Sequence, residues 1–221
     1  MRPSTPAKLY LLVYNFLQAW GWAIGLARII FNFVSTGSVT GAFASSGELI
    51  CLLQSLEFLE VVNGALAIVP SGVLFPLMQW GGKTHLLLAI VWKLEEVQRF
   101  PSVFVTFFAW SLSEIIRYSH YSLNCLGFYP FWVTYLRYTS FIVLYPFGVF
   151  LGEMWLMYEA FPYVKRKNLY ADSFAFLPFT YYHFLRALFF CYPFLWFILY
   201  KHMFKQRKSK LKTNQGKSKK N

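Results

Sequence analysis

Long apolar stretches, separated by short polar segments, run through most of the chain. A helix needs about 20 apolar residues to cross a bilayer, and six stretches approach that length. They cover residues 9–34, 49–69, 85 or earlier to 92, 103–117, 131–158 and 181–204. The third is the weakest, because Gly81, Gly82 and Lys83 interrupt it. The pattern predicts an all-α, polytopic membrane helical bundle with six transmembrane helices, formed by residues 1–206.

Composition supports a membrane protein. The chain is 57% hydrophobic and only 14% charged, whereas a soluble domain carries about 25% charged residues. The excess apolar surface must face lipid, where a helix satisfies its own backbone hydrogen bonds. The first apolar run lacks a short hydrophobic region followed by a small-residue cleavage site, so we expect it to remain in the mature protein.

Polar connections are predicted at residues 35–47, 124–130 and 165–172. An even number of spans places both termini on the same side of the membrane. Residues 165–167 would then be lumenal although all three are basic, which goes against the positive-inside rule, so five or seven spans remain open.

Residues 207–221 form a predicted basic cytosolic tail. From residue 201 onward the chain carries many lysines and arginines and no acid, which places this end in the cytosol by the positive-inside rule. Such a cluster gains about 1 kcal/mol per cation at an anionic leaflet. Membrane lipid is therefore the expected partner, and nucleic acid is the weaker alternative. The basic residues are Lys201, Lys205, Arg207, Lys208, Lys210, Lys212, Lys217, Lys219 and Lys220.

Ionisable side chains inside the apolar stretches point to a functional interior, because each costs a few kcal/mol in lipid. Glu57, Glu60 and Asn63 are spaced three apart in the second stretch and form a slanted polar stripe. A hydrogen-bonded seam between helices explains this stripe equally well. In the fourth stretch, Glu114 and Arg117 lie one turn apart and could pair with each other.

The fifth stretch carries the candidate chemistry. After Arg137 it is apolar until Tyr145, Pro146 and Gly148, and Glu153 is the acid that follows them. A buried carboxyl group without a cation beside it favours its protonated form, which suits proton transfer near neutral pH. Proline removes a backbone donor and glycine permits close approach, so the helix is expected to be irregular here.

Several motifs resemble one known family. The segment LRYTSFIVLYPFG at residues 136–148 resembles the signature of 3-hydroxyacyl-CoA dehydratases, a family once named protein tyrosine phosphatase-like. WSLSEIIRY at residues 110–118 and LGFYP at residues 126–130 are further similar blocks, with Glu60, Gln79 and Glu96 as isolated matches. The similarity extends from the first helix to about Pro162 and is weak beyond it.

The resemblance implies an activity and a location. Family members remove water from a (3R)-3-hydroxyacyl-CoA to give the trans-2-enoyl-CoA, the third step of very-long-chain fatty acid elongation. They are six-helix proteins of the endoplasmic reticulum membrane with both termini in the cytosol. The expected partners are therefore long-chain 3-hydroxyacyl-CoA and the other elongation enzymes, the elongase and the reductases. No metal or redox cofactor is required.

The resemblance also suggests roles for particular residues. Tyr145 and Glu153 match the catalytic pair, and we expect Tyr145 to act as base and Glu153 as acid, although the reverse assignment stays open. Arg117, Arg137 and Lys83 are candidates to meet the CoA phosphates, with snorkelling of the arginines to the interface as the alternative. Glu60, Gln79 and Gly148 are expected to support the site.

The spacing of the predicted catalytic pair departs from the family pattern. The family glutamate follows the tyrosine by seven residues, which leaves the two about 20° apart on an α-helix. Here Glu153 follows Tyr145 by eight residues, and the angle becomes about 80°. We expect a π-bulge around residues 148–152 to absorb the extra residue. Other departures are Asn63 where histidine is expected, Gln98 where arginine is usual, and Gly82–Lys83 in place of Ser-Arg.

Three other interpretations were considered. A non-catalytic scaffold of the same fold is the main alternative. A transporter is disfavoured, because proline and glycine breaks concentrate in the fifth stretch instead of recurring in both halves. A cysteine phosphatase is excluded, because none of the three cysteines is followed by arginine six positions later.

The last five residues are KSKKN, and they resemble a KxKxx signal that returns membrane proteins to the endoplasmic reticulum. Lys217 and Lys219 would be its two lysines. Such a signal is read in the cytosol, so it requires the same orientation as the basic tail.

Overall fold

The structure is a computed structural model that describes residues 4–70 and 72–218. These residues form helices and turns without a strand, which confirms the predicted all-α class. The α-helices are α1 Thr5–Thr36, α2 Ala42–Leu56, α3 Phe58–Ala65, α4 Leu74–Thr84, α5 Pro101–Cys125, α6 Phe131–Arg137, α7 Phe141–Gly148, α8 Trp155–Arg166, α9 Ala171–Phe174 and α10 Tyr181–Ser218. Two π-helical segments, His85–Val91 and Val149–Met154, continue α4 and α7.

Four helical segments of the described chain are long and apolar enough to cross a membrane: Thr5–Thr36, Ala42–Ala65, Phe131–Arg166 and Tyr181–Ser209. The predicted count of six is therefore not confirmed. The two remaining long rods are α5 and the rod made of α4 with its π-helical continuation. These are the rods that carry Lys83, Glu114 and Arg117, which lower their mean hydropathy.

The helices differ from the predicted loop and apolar stretches at three places. The loop predicted at residues 35–47 is helical from Ala42, because Ser46 donates a hydrogen bond to the Gly25 carbonyl on α1 (3.0 Å) and becomes a packing residue. The second helix ends at Ala65, since Ala67 adopts a left-handed φ of 52° that no α-helix can continue. The last helix extends through Ser218, beyond residue 204. The last three residues of the KxKxx signal, 219–221, lie outside the described residues.

The core forms where α1 packs against α2 and α5. Trp22, Ile50, Leu87 and Phe107 are almost fully buried there. Gly21 allows the close approach of α2, because a Cβ atom at this position would lie 2.5 Å from a methyl carbon of Leu53. By contrast, large apolar side chains on the outer faces of the helices are exposed, as expected for surfaces that face lipid.

The basic loop that disagrees with the positive-inside rule has an acidic partner. Arg166 and Lys167 lie 3.3 and 2.8 Å from the carboxylate oxygens of Glu96, which precedes α5. The hydrogen bond from Lys167 lowers the pKa of Glu96 below its usual range. These ion pairs hold the connection before α5 and the connection after α8 at the same end of the bundle, as an arrangement of six spans requires.

Candidate active site

The helix that carries Tyr145 and Glu153 contains the predicted bulge. After α7 ends at Gly148, residues Val149–Met154 form a π-helical segment, and α8 follows without a break. A π-turn accommodates one additional residue within an α-helix. Tyr145 and Glu153 consequently line the same cavity despite their eight-residue spacing.

Glycines allow this part of the helix to lie against α5. A Cβ atom on Gly152 would be 2.8 Å from the Thr106 hydroxyl oxygen and 3.2 Å from the Thr106 backbone nitrogen. A Cβ atom on Gly148 would be 3.1 Å from the Cβ atom of Ala109. Because real Cβ atoms avoid such distances, any other residue would push the bulge away from α5.

The cavity has a volume of about 530 Å³ and lies between α3, α4, α5, the end of α6, α7, the π-helical segment after α7, and α10. Its wall on α10 is mainly apolar and contains Phe184, Leu188, Leu195, Leu199 and Met203. The walls on the other helices carry the polar groups. Every site residue predicted from the sequence lines this cavity: Tyr145, Glu153, Arg117, Arg137, Lys83, Glu60, Gln79 and Gly148.

Glu153 is buried, with 7% of its surface exposed, and both of its oxygens accept hydrogen bonds. The indole Nε1 of Trp110 donates to Oε1 at 2.7 Å, and the hydroxyl of Tyr192 donates to Oε2. No sequence pattern pointed to Tyr192, which is one of 15 tyrosines and follows the segment of clear family resemblance. Trp110 belongs to a family-like block, but its spacing did not predict a contact with Glu153.

Tyr145 is half-buried beside α4 and α10. Its hydroxyl oxygen accepts a hydrogen bond from Nε2 of Gln79 at 2.7 Å. Its ring stacks on that of Tyr200, with the centroids 6.5 Å apart. Gln79, which the sequence marked only as an isolated family match, therefore contacts the predicted catalytic tyrosine directly.

A charge cluster, defined as Glu57, Glu60, Lys83, Glu114 and Arg117, forms another wall of the cavity. The Lys83 ammonium lies 2.5 Å from Glu114 and 3.5 Å from Glu57. The Arg117 guanidinium lies 3.3 Å from Glu57 and 2.6 Å from Glu60, and it pairs with Glu114 as expected from their spacing. The polar stripe of the second stretch thus belongs to an ion-pair network. Three carboxylates share two cations in this network.

Arg137 differs from the other two predicted cations. It contacts the Tyr121 hydroxyl at 3.5 Å and lies 5.8 Å from the ring centroids of Tyr121 and Tyr138. Within residues 4–70 and 72–218 it forms no ion pair with a carboxylate, and its buried Nε has no hydrogen-bond partner. Its positive charge is therefore available to an anion in the cavity.

Sequence comparisons agree with the motif resemblance. The family model described as "Protein tyrosine phosphatase-like protein, PTPLA" matches residues 54–213, well past the point where the motif resemblance becomes weak. The very-long-chain (3R)-3-hydroxyacyl-CoA dehydratase 2 of Mus musculus is 34% identical over 95% of this chain and 83% of its own length.

Other relatives give the same result. The very-long-chain (3R)-3-hydroxyacyl-CoA dehydratase 1 of Canis lupus familiaris is 31% identical over 93% of this chain and 83% of its own. The very-long-chain (3R)-3-hydroxyacyl-CoA dehydratase PASTICCINO 2A of Oryza sativa subsp. japonica is 34% identical over 76% and 75%. No solved structure matches the chain significantly. The chain belongs to the protein tyrosine phosphatase-like (PTPLA) family, whose relatives compared above carry the name very-long-chain (3R)-3-hydroxyacyl-CoA dehydratase.

Proposed function

We propose that this protein is a hydro-lyase that converts a long-chain (3R)-3-hydroxyacyl-CoA to the trans-2-enoyl-CoA, the third step of very-long-chain fatty acid elongation. The observation that carries the proposal is the π-helical segment, which lets Tyr145 and Glu153 line one cavity in a chain that belongs to this family. An elimination needs a base for the C2 proton and an acid for the departing hydroxyl group. This pair supplies one of each.

The hydrogen bonds favour the reverse of the roles first expected. Trp110 and Tyr192 both donate to Glu153, and donors of this kind stabilise a carboxylate. Glu153 is therefore the proposed base that takes the C2 proton. The Tyr145 oxygen accepts from Gln79, so the phenolic proton remains available for the leaving hydroxyl group.

The proton balance closes within the pair. The C2–H bond breaks as its proton passes to Glu153, and the electron pair forms the C2=C3 double bond. The C3–O bond breaks, and the hydroxyl group takes the proton of Tyr145 and leaves as water. Return of the proton from Glu153 to Tyr145 regenerates the starting state. The substrate carbonyl gains negative charge during this step, and nearby positive charge stabilises it.

We propose Arg137 as the principal contact for the CoA phosphates, because Lys83 and Arg117 are already paired with carboxylates. Lys83, Arg117 and Glu60 support the site through the charge cluster. Gln79 supports it through its hydrogen bond to the tyrosine, and Gly148 through its close contact with α5. The apolar wall of α10 offers a surface for the acyl chain.

The proposed setting is the endoplasmic reticulum membrane, crossed by six helices with both termini in the cytosol. Residues 1–206 would form the membrane domain and residues 207–221 a basic cytosolic tail, with the elongase and the reductases as partners. The ion pairs of Glu96 with Arg166 and Lys167 support this arrangement, because they join two connections that six spans place together. Protease digestion of sealed vesicles tests it, since the tail must then be accessible from the cytosolic side.

The activity is tested with purified protein in detergent and a long-chain (3R)-3-hydroxyacyl-CoA. We expect turnover without added metal or nucleotide. Tyr145→Phe and Glu153→Gln should each lower kcat by about 10² or more, the scale of general acid–base groups. Glu159→Gln is a matched control on the same long helix as Glu153, because Glu159 accepts a hydrogen bond from Ser102 on α5 and does not line the cavity. A folded wild-type protein without turnover would favour the scaffold interpretation.

A further inference from the structure

Tyr192 is a polar contact of Glu153 that comes from a separate helix. Its hydroxyl, on α10, donates to Oε2 of Glu153, while Trp110, on α5, donates to Oε1. Tyr192 also lines the cavity, where its hydroxyl oxygen lies 4.0 Å from the place that a Cβ atom on Gly82 would occupy. Three helical rods thus meet at one carboxylate.

Two donors restrain a carboxylate more than one donor can. An indole N–H can only donate, so the contact with Trp110 fixes the position of Oε1 but leaves rotation about that hydrogen bond. The hydroxyl of Tyr192 fixes the second oxygen and removes this freedom. Hydrogen bonds to an ionised acceptor are about twice as strong as those between neutral groups, so the restraint is substantial in a buried site.

The contact between Tyr192 and Glu153 matters because α10 packs loosely against the other helices. Among the side chains of α10 that the structure describes, the buried hydrophobic ones are few, namely Tyr181, Leu185 and Met203. Tyr182 and Phe189 pack partly against the core, and most of its other large apolar residues are exposed or line the cavity. The contact between Tyr192 and Glu153 is therefore a polar link between this loosely packed helix and the site.

We propose that Tyr192 is a positioning residue that orients the Glu153 carboxylate. The base is then correctly aligned only when α10 is in its native position. The inference rests on the proposed function, in which Glu153 removes the C2 proton. A misplacement of about 1 Å can cost 10²-fold in rate. Loss of the hydroxyl should therefore act on kcat, because Tyr192 reaches the reaction through Glu153.

Tyr192→Phe is the deciding variant, since it removes the hydroxyl and keeps the ring. We expect kcat to fall by about 10- to 100-fold, with KM changed by less than about threefold. Tyr182→Phe is the matched control on the same helix, because the Tyr182 ring contacts Phe161 and does not line the cavity, so loss of its hydroxyl should leave kcat near wild type. Tyr192→Gln, which retains a donor, should recover part of the lost rate.

A double-mutant cycle separates positioning from a general structural effect. In a Glu153→Gln background, adding Tyr192→Phe should change kcat by less than about threefold, because the group through which it acts is already removed. Additive losses, a wild-type kcat in Tyr192→Phe, or a raised KM with unchanged kcat would each overturn the inference. Helix content and monodispersity in detergent confirm folding. If Tyr192→Phe is unfolded, Tyr192→Leu, which also lacks a donor, replaces it, and a kcat no different from that of Tyr182→Phe would overturn the inference.

A different result would overturn the proposed function, namely full activity of the Glu153→Gln variant itself. An inactive Glu153→Gln with a fully active Tyr192→Phe would leave the proposed function standing and remove only the role of Tyr192.

Discussion

Deletion of Leu151 tests whether the π-helical segment serves to align the catalytic pair. Leu151 lies within Val149–Met154 and is 52% exposed. Its removal leaves Glu153 seven positions after Tyr145 along the chain, a spacing that an ordinary α-helix brings to within about 20°. Because a π-bulge holds one residue more than an α-helical turn, the deletion should convert the segment to α-helix and leave α8 in its present orientation.

The expected effect follows from helix geometry. In an unbulged helix, a seven-residue spacing places the glutamate about 20° to one side of the tyrosine, and the present spacing would place it about 80° to the other side, a rotation of about 100°. At a radius of about 6 Å, where side-chain ends lie, this rotation moves the carboxylate by about 9 Å. Since about 1 Å of misplacement can cost 10²-fold, an insertion that shifts the register should abolish turnover, whereas the deletion should retain it.

The assay is dehydration of a long-chain (3R)-3-hydroxyacyl-CoA by purified variants. We expect deletion of Leu151 to keep kcat/KM within about tenfold of wild type, whereas insertion of one alanine after Leu151 should reduce it by about 10² or more. Leu151→Ala is the control for loss of the side chain alone. A folded deletion variant as inactive as the insertion variant would refute the reasoning, and so would an insertion variant with wild-type turnover.

Three further variants test packing and charge. Gly152→Ala should destabilise the protein by about 1–3 kcal/mol through overpacking against α5, whereas Gly81→Ala, whose Cβ atom meets nothing within 4 Å, should not lower the melting temperature. Arg117→Gln should cost about 3–5 kcal/mol, because it leaves buried carboxylates with one cation fewer. Glu96→Gln should leave the free energy of unfolding almost unchanged at neutral pH. It should also remove a small part of the pH dependence of that free energy. The hydrogen bond from Lys167 lowers the pKa of Glu96. The stability that ionised Glu96 contributes is therefore fully present above the usual pKa of glutamate and is lost as the pH falls through the lowered pKa. Melting curves of wild type and variant across acidic pH measure this difference.

Much of the site could be predicted from sequence because its residues occur in family-like blocks with helical spacing. The spacing of Tyr145 and Glu153, together with Gly148 and Gly152, predicted the bulge. The pairing of Glu114 with Arg117 followed from their separation by one turn. In each case the informative residues lie close together along the chain, where helix geometry restricts their relative positions.

The parts that could not be predicted depend on contacts between distant segments. Tyr192 joins Glu153 across 39 positions, and Gln79 joins Tyr145 across 66. No local pattern encodes such contacts. The helical start at Ala42 was missed for a similar reason, because serine and glycine usually indicate a loop, whereas here Ser46 bonds across to α1.

The charge cluster also bears on how the chain is assembled. In the proposed six-span arrangement, its five charged residues come from three successive rods, α2 with α3, α4 with its π-helical continuation, and α5. Released singly from the insertion machinery, each rod would carry its charges into lipid at about 2.5–3.5 kcal/mol apiece. Arg117 pairs with Glu114 within α5, but every other ion pair that offsets this cost joins two different rods, so the full network exists only when all three are together. Biogenesis of this protein should therefore proceed by retention of these three rods beside the translocon and their joint release, as one unit, into the bilayer.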